Sequence, residues 1–138
     1  MTLSVRIHHH GGPDALQPEE LALPDPGPGE VRLRQEAIGL NYIDVYHRTG
    51  LYPVPQLPAA IGLEGAGVVD ALGPDVGELR VGDRVAYASA PLGAYQTDRN
   101  MPADRLVRLP ESIGTRTAAA MMLQGMTVEY LVRRTFAV

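Results

Sequence analysis

Gly62-Leu63-Glu64-Gly65-Ala66-Gly67 runs straight into Val68-Val69-Asp70-Ala71-Leu72 and stops at Gly73-Pro74-Asp75, and the order of these pieces decides the fold. A dinucleotide fingerprint needs G-x-G-x-x-G after a strand and at the start of a helix, so that a pyrophosphate can rest on the helix N-terminus. Here the glycines run G-x-x-G-x-G and precede the apolar stretch. Glu64 to Leu72 therefore reads as a buried strand closed by a turn, with small residues that let strands or a neighbouring domain approach closely. No G-x-G-x-x-G occurs anywhere in the chain.

The flanking segments carry the same message. From Glu30 to Ala37 the residues alternate, with Val31, Leu33 and Ala37 on one face and Arg32, Arg34 and Glu36 on the other, the period of a half-buried strand. Ser4 to His10 reads as a strand halted by Gly11-Gly12-Pro13, and the proline-rich Pro24 to Gly29 reads as a surface connection. Val81 to Tyr87 places a Gly-Asp turn before another strand. Gly93–Thr97 and Arg105–Leu109 read as two more, separated by a polar turn. Many short strands with turns between them make a barrel or sandwich.

Helical signals are few. Tyr42, Val45, Tyr46 and Thr49 fall at helical spacing with Gly50 behind them, so Asn41 to Thr49 is expected to be a short helix. Leu51 to Pro58 then reads as a loop crossing the surface or lining a site. After Pro110, Thr117–Gln124 is rich in good helix formers, Gly125 is expected to interrupt it, and Thr127–Arg134 resumes with Val128, Leu131 and Val132 on one face.

Composition excludes several chemistries. The 138 residues allow about one domain, and 15 glycines with 12 prolines exceed the roughly 17 expected for the pair, which fits a turn-rich fold. There is no Cys, hence no disulfide, thiolate metal site or cysteine nucleophile. All 12 basic residues are Arg, so a Schiff-base lysine and a complete Walker A loop are excluded. The net charge of −4, with dispersed arginines, disfavours nucleic-acid binding. No apolar run is long enough to span a membrane and no signal-peptide layout opens the chain, so a cytoplasmic protein without a membrane partner is expected. G-x-S-x-G is absent, leaving serine hydrolase chemistry unsupported.

Individual residues leave alternatives open. His8-His9-His10 sits where strand alternation would split the side chains between faces, and His47 reads as a surface histidine. Glu64 and Asp44 could form a carboxylate pair, with ion pairing to arginines the plainer role. Tyr42, Tyr46 and Tyr52 cluster around the proline-rich loop, either as packing or as flat surfaces and phenol donors for a planar ligand.

A longer pattern carries more. Glu36-Ala37-Ile38-Gly39-Leu40-Asn41-Tyr42-Ile43-Asp44-Val45-Tyr46-His47-Arg48-Thr49-Gly50-Leu51-Tyr52-Pro53 closely resembles the zinc-independent quinone oxidoreductases of the medium-chain dehydrogenase/reductase superfamily. His10-Gly11-Gly12-Pro13, Gly62 to Gly67, Val81 to Val85, Leu92-Gly93-Ala94-Tyr95 and Gln124-Gly125-Met126-Thr127 followed by Glu129-Tyr130-Leu131 extend the match over nearly the whole chain.

The resemblance implies a mainly β fold with a few helices, a GroES-like β-barrel domain over residues 1–123. Residues 124–138 would form a connecting helix towards a Rossmann nucleotide-binding domain. Neither that domain nor the strands that return to complete the barrel are present in these 138 residues. Zinc-dependent relatives carry Cys where this chain has Asn41 and His where it has Leu63, so neither zinc nor any other metal is expected. NADPH is the implied cofactor, with Asn41, Tyr46 and Thr127 near its nicotinamide and ribose, and Tyr42 and Tyr52 are the implied walls of a slot for a small-molecule quinone. No single catalytic acid or base is implied. The full-length protein would be a homodimer, whereas these 138 residues alone would be inactive and prone to self-association. A stand-alone GroES-like binding or assembly module is the alternative.

Overall fold

The structure is a computed structural model and describes residues 1–136. Ala137 and Val138, the last residues of the expected connecting helix, lie outside the described residues. Two antiparallel sheets form the body. In the first, β1 (Thr2–Ile7) lies between β2 (Leu16–Leu21) and β4 (Ala59–Ala60). The second runs in the order β7 (Asp98–Pro102), β3 (Glu30–Gly39), β5 (Glu64–Leu72), β6 (Arg84–Ala88) and β8 (Val107–Arg108). The sheets are stitched together through the backbone before β7: Val5 donates to the Tyr95 carbonyl at 2.7 Å and Thr97 to the Leu3 carbonyl at 2.9 Å.

The strand expected at Glu64–Leu72 is β5 without change. The close-approach reading of its glycines holds as well, since a Cβ added at Gly67 would stand 2.1 Å from the Arg34 carbonyl oxygen. Val31, Leu33, Val69, Val85, Tyr87 and Met101 fill the barrel interior. Ala37, however, does not share a face with Val31 and Leu33. Gln35 pairs with Gly67 and Ala37 with Ala66, so one residue is extra. That bulge shifts the alternation by one, and Ala37 joins a second cluster outside the barrel with Ala66, Ala86, Ala118 and Ala119.

Three other expectations are corrected, and one strand is added. β1 stops at Ile7, short of the histidines. A strand also forms at Leu16–Leu21, a stretch left unassigned above; Pro18 is accommodated because β2 is an edge, where a missing donor is tolerated. It is also clamped from the side: Arg6 donates to Glu19 Oε2 at 3.1 Å, and His8 bonds the other oxygen. These contacts, His8 foremost, hold the Glu19 carboxyl below the usual carboxylate range.

The strand expected at Gly93–Thr97 is a single bridge from Gln96 to Ser4, and the pairing strand is the supposed polar turn, Asp98–Pro102. Its inward residues are Arg99 and Met101, so the buried face is half polar and period two is invisible to an apolar count. Finally, the two terminal helices are one. α2 (Thr115–Glu129) runs through Gly125 and continues as a π-helical segment, Tyr130–Thr135. A mid-helix glycine costs only about 1 kcal/mol relative to Ala, too little to break an otherwise good helix. The helix rests on the sheet through Ala118 and Ala119, while Val128, Leu131 and Val132 stay exposed.

Candidate functional site

β3 ends at Gly39, and Leu40 and Asn41 lead into α1 (Tyr42–Thr49), closed by Gly50 at φ 83° as expected. Asn41 is the N-cap residue, yet its side chain does other work. The Asp44 carboxylate accepts from the Asn41 backbone N–H at 2.9 Å, and the Asp44 N–H donates to the Asn41 carbonyl at 3.0 Å. The Asn41 amide reaches outwards instead. Nδ2 donates to Glu64 Oε2 at 2.7 Å, and Oδ1 accepts from Gln124 Nε2 at 2.7 Å. Glu64 Oε1 accepts from the Leu123 backbone N–H at 2.8 Å.

One amide and one carboxylate thus tie three elements, α1, β5 and α2. Both are almost sealed from solvent, Asn41 at 6% and Glu64 at 1% exposure. Gly39 makes the tie possible: a Cβ there would stand 2.4 Å from Glu64 Oε2 and 2.5 Å from the Ala119 carbonyl. Beside the tie lies a groove of about 470 Å³, bordered by Glu36, Ile38, Leu40, Arg116, Ala120 and Gln124.

The expected arginine pairing of Glu64 and Asp44 is not found. Their partners are neutral donors: Asn41 and Leu123 for Glu64, Asn41 and Tyr95 for Asp44. The arginine nearest in sequence, Arg48, donates to the Gly11 carbonyl at 3.0 Å instead. His47 is buried at 8% exposure rather than lying on the surface, because it falls on the inward face of α1 with Asp44. The three consecutive histidines part company beyond the end of β1. His8 meets Glu19, and His10 contacts the His47 carbonyl at 3.2 Å. Among the described residues no group of three or more His, Asp or Glu side chains could hold a metal ion.

The tyrosines do assemble. Tyr42 and Tyr46 stand edge to face at 5.2 Å, Tyr46 and Tyr52 likewise at 5.2 Å, and the Tyr52 ring lies 6.2 Å from His47. Tyr42 is 72% and Tyr52 46% exposed, so this cluster is a surface and not core packing. Thr127 is exposed on α2 one turn beyond Gln124, its hydroxyl donating to the Leu123 carbonyl at 2.8 Å.

Sequence reasoning missed the roles of Gly39, Gln124 and Tyr95. Tyr95 Oη donates to Asp44 Oδ2 at 2.9 Å, and burial, with Asp44 adding to it, pushes its phenol well above the ordinary tyrosine range. A tyrosine following Leu92-Gly93-Ala94 was visible in the sequence, but nothing local tied it to a helix 51 residues away.

Two joined antiparallel sheets, with a short helix following β3 and a longer helix packed on β3, β5 and β6, define a GroES-like domain. The family model for the alcohol dehydrogenase GroES-like domain matches residues 27–135, and the chain belongs to that family. It is 48% identical over 136 residues to a quinone oxidoreductase of Pseudomonas aeruginosa, covering 99% of this chain and 42% of that protein. A 2-haloacrylate reductase of a Burkholderia species is 43% identical over 143 residues, covering 100% of this chain and 43% of that protein. The crystal structure of Escherichia coli quinone oxidoreductase complexed with NADPH superposes with a TM-score of 0.97 at 44% identity, over 100% of this chain and 42% of that one. The chain therefore spans about two-fifths of the length of these relatives.

Proposed function

We propose that this chain is the N-terminal, catalytic-domain portion of a zinc-independent oxidoreductase that reduces quinones with NADPH, and that it does not turn over substrate alone. The observation that carries this reading is the exposed tyrosine cluster on and beside α1, next to the buried Asn41–Glu64–Gln124 tie. Flat phenol faces suit a planar conjugated acceptor. A quinone spreads incoming negative charge over its ring, so hydrogen-bond donors can replace a Lewis acid in stabilising it.

The donor set supports zinc independence. Where the zinc-dependent relatives hold a thiolate and an imidazole, this chain has an amide whose oxygen and nitrogen are both bonded within the protein, and a leucine.

NADPH fits part of the expected set. The exposed Thr127, one turn beyond Gln124, and the partly exposed Tyr46, in contact with Tyr42, offer a hydroxyl and a ring face, whereas Asn41 has given both side-chain atoms to the protein. Tyr46 and Thr127 would bind and orient the cofactor. Asn41 would act by holding α1 against α2. When bound, NADPH supplies the hydride. Tyr42 and Tyr52 would wall the acceptor and exclude water from one side.

Similarity to a 2-haloacrylate reductase favours a second acceptor class, a conjugated unsaturated acid. The test is NADPH consumption by the longer protein carrying this chain, with benzoquinone in one arm and 2-chloroacrylate in the other. Quinone-dependent consumption is the expected result. Consumption with the acid alone would replace the substrate class, and no consumption in either arm would overturn the reading. The 138 residues by themselves should bind NADPH weakly, and tight binding in a fluorescence titration would refute the claim that they do not suffice.

A further inference from the structure

Asp44 is 3% exposed, and its two oxygens are treated unequally. Oδ2 accepts from the Asn41 N–H and from the Tyr95 hydroxyl, each at 2.9 Å, while Oδ1 has no partner among the described residues. A helix needs no such arrangement for its own sake. An exposed aspartate at this position would accept from the N-cap N–H equally well without losing its hydration. Burying a carboxylate carries a desolvation cost that an exposed cap would avoid, so capping alone does not account for it. What the buried carboxylate does provide is a defined place for the first turn of α1.

The other end of the link is rigid. Tyr95 N–H donates to the Ile61 carbonyl at 3.0 Å, and its carbonyl accepts from Val5 at 2.7 Å, so its backbone is fixed to both sides of the barrel wall. Its ring fills the space over Gly62, where an added Cβ would stand 2.5 Å from Tyr95 Cδ1. Behind it, Gln35 Nε2 donates to the carbonyls of Ala94 at 2.8 Å and Gln96 at 2.5 Å, while Arg99 Nη2 donates to those of Pro91 and Leu92. Polar side chains inside the barrel thereby hold the whole 91–96 loop.

We propose that Tyr95 is a positioning residue: through Asp44 it fixes the first turn of α1, and with it Asn41 and the Tyr42 and Tyr46 rings, relative to the barrel wall. This role rests on the reading of α1 as a wall of the reductase site. Among the described residues no hydrogen bond or ring pairing joins Tyr95 to Tyr42 or Tyr46, and its hydroxyl reaches α1 through Asp44.

Tyr95→Phe keeps the ring and removes the hydroxyl. Hydrogen–deuterium exchange on the full chain should show amides of residues 41–49 exchanging roughly tenfold faster, with β3 and β5 unchanged. Unchanged protection at 41–49, or a uniform rise across all strands, would overturn the proposal. Should Tyr95→Phe fail to fold, Asp44→Asn weakens the same link while conserving shape, and the same local increase is expected. In the longer protein, Tyr95→Phe should raise KM for the quinone several-fold with kcat much less changed, alongside the lowered melting temperature expected when a buried carboxylate loses a donor. An unchanged KM in a protein that turns over quinone would also overturn it. A wild-type protein without quinone turnover counts against the functional reading alone, because the exchange pattern still decides the role of Tyr95.

Discussion

Gly39 shows how much a single missing side chain decides. It sits where the Glu64 carboxylate and the Ala119 carbonyl both pass within 2.5 Å of the space a Cβ would fill. Neither neighbour can yield cheaply, since one is anchored by Asn41 and Leu123 and the other belongs to helix backbone. Gly39→Ala is expected to lower stability by about 2 kcal/mol, in the range of other overpacked sites, as measured by urea unfolding. It should also loosen the Asn41–Gln124 contact. At this scale the sequence was legible for residue types and silent about partners. Asn41 was singled out on resemblance, but an amide reads the same whether it faces a cofactor or a buried glutamate, and only the fold brings residues 41, 64 and 124 together. Asp44, Glu64 and His47 were misjudged for the same reason, because charge and ring type do not reveal burial.

Among elements, legibility followed hydrophobic contrast. β3, α1 and β5 have clear periodicity or stop signals and appear close to where expected, apart from the bulge that moves Ala37 to the other face of β3. β7 was hidden because its inward residues include Arg99, and β2 because an edge strand tolerates proline. α2 illustrates the reverse error, in which a local signal was given more weight than its energy allows. An added Cβ at Gly125 would meet nothing closer than Met121 Cε at 4.0 Å. Gly125→Ala should therefore stabilise the protein by about 0.5–1 kcal/mol, seen as a raised melting temperature, by removing unfolded-state freedom at a site already helical. A destabilised variant would show that the helix needs a bend there.

At the scale of the whole molecule, the barrel interior holds a polar group in place of a purely apolar core. Tyr87 donates to Gln35 Oε1 at 2.5 Å and accepts from Arg99 Nη1 at 3.2 Å, with the guanidinium 5.1 Å from its ring centroid. Burial pushes the Tyr87 phenol above its ordinary value, against the opposing pull of Arg99. Because the folded-state value is the higher one, the stabilisation is fully present below about pH 10, where an unfolded tyrosine begins to ionise, and is lost as pH rises through the raised value. Tyr87→Phe leaves Arg99 and Gln35 each short of a partner and should cost about 1–3 kcal/mol at neutral pH. The difference from wild type should shrink above about pH 10, and denaturant midpoints across that range would test it. A difference that stayed constant with pH would mean that the phenol does not titrate on unfolding. The many-stranded, turn-rich character of this barrel was legible from composition and alternation, whereas its exact strands and its polar interior were not, since Gln35, Tyr87 and Arg99 meet only in the fold.

That interior also gives the molecule an optical probe of its own. The chain has six tyrosines, one phenylalanine and no tryptophan. Tyr87 is the one tyrosine without exposed surface, held by a hydrogen bond at either side of its hydroxyl in an asymmetric pocket beside a cation. Near-ultraviolet circular dichroism should therefore include a band from the packing of the barrel interior, which Tyr87→Phe would isolate from those of Tyr95 and the paired surface rings, and ligands that settle on the exposed Tyr42 and Tyr52 rings can be followed by tyrosine emission with no indole signal to subtract.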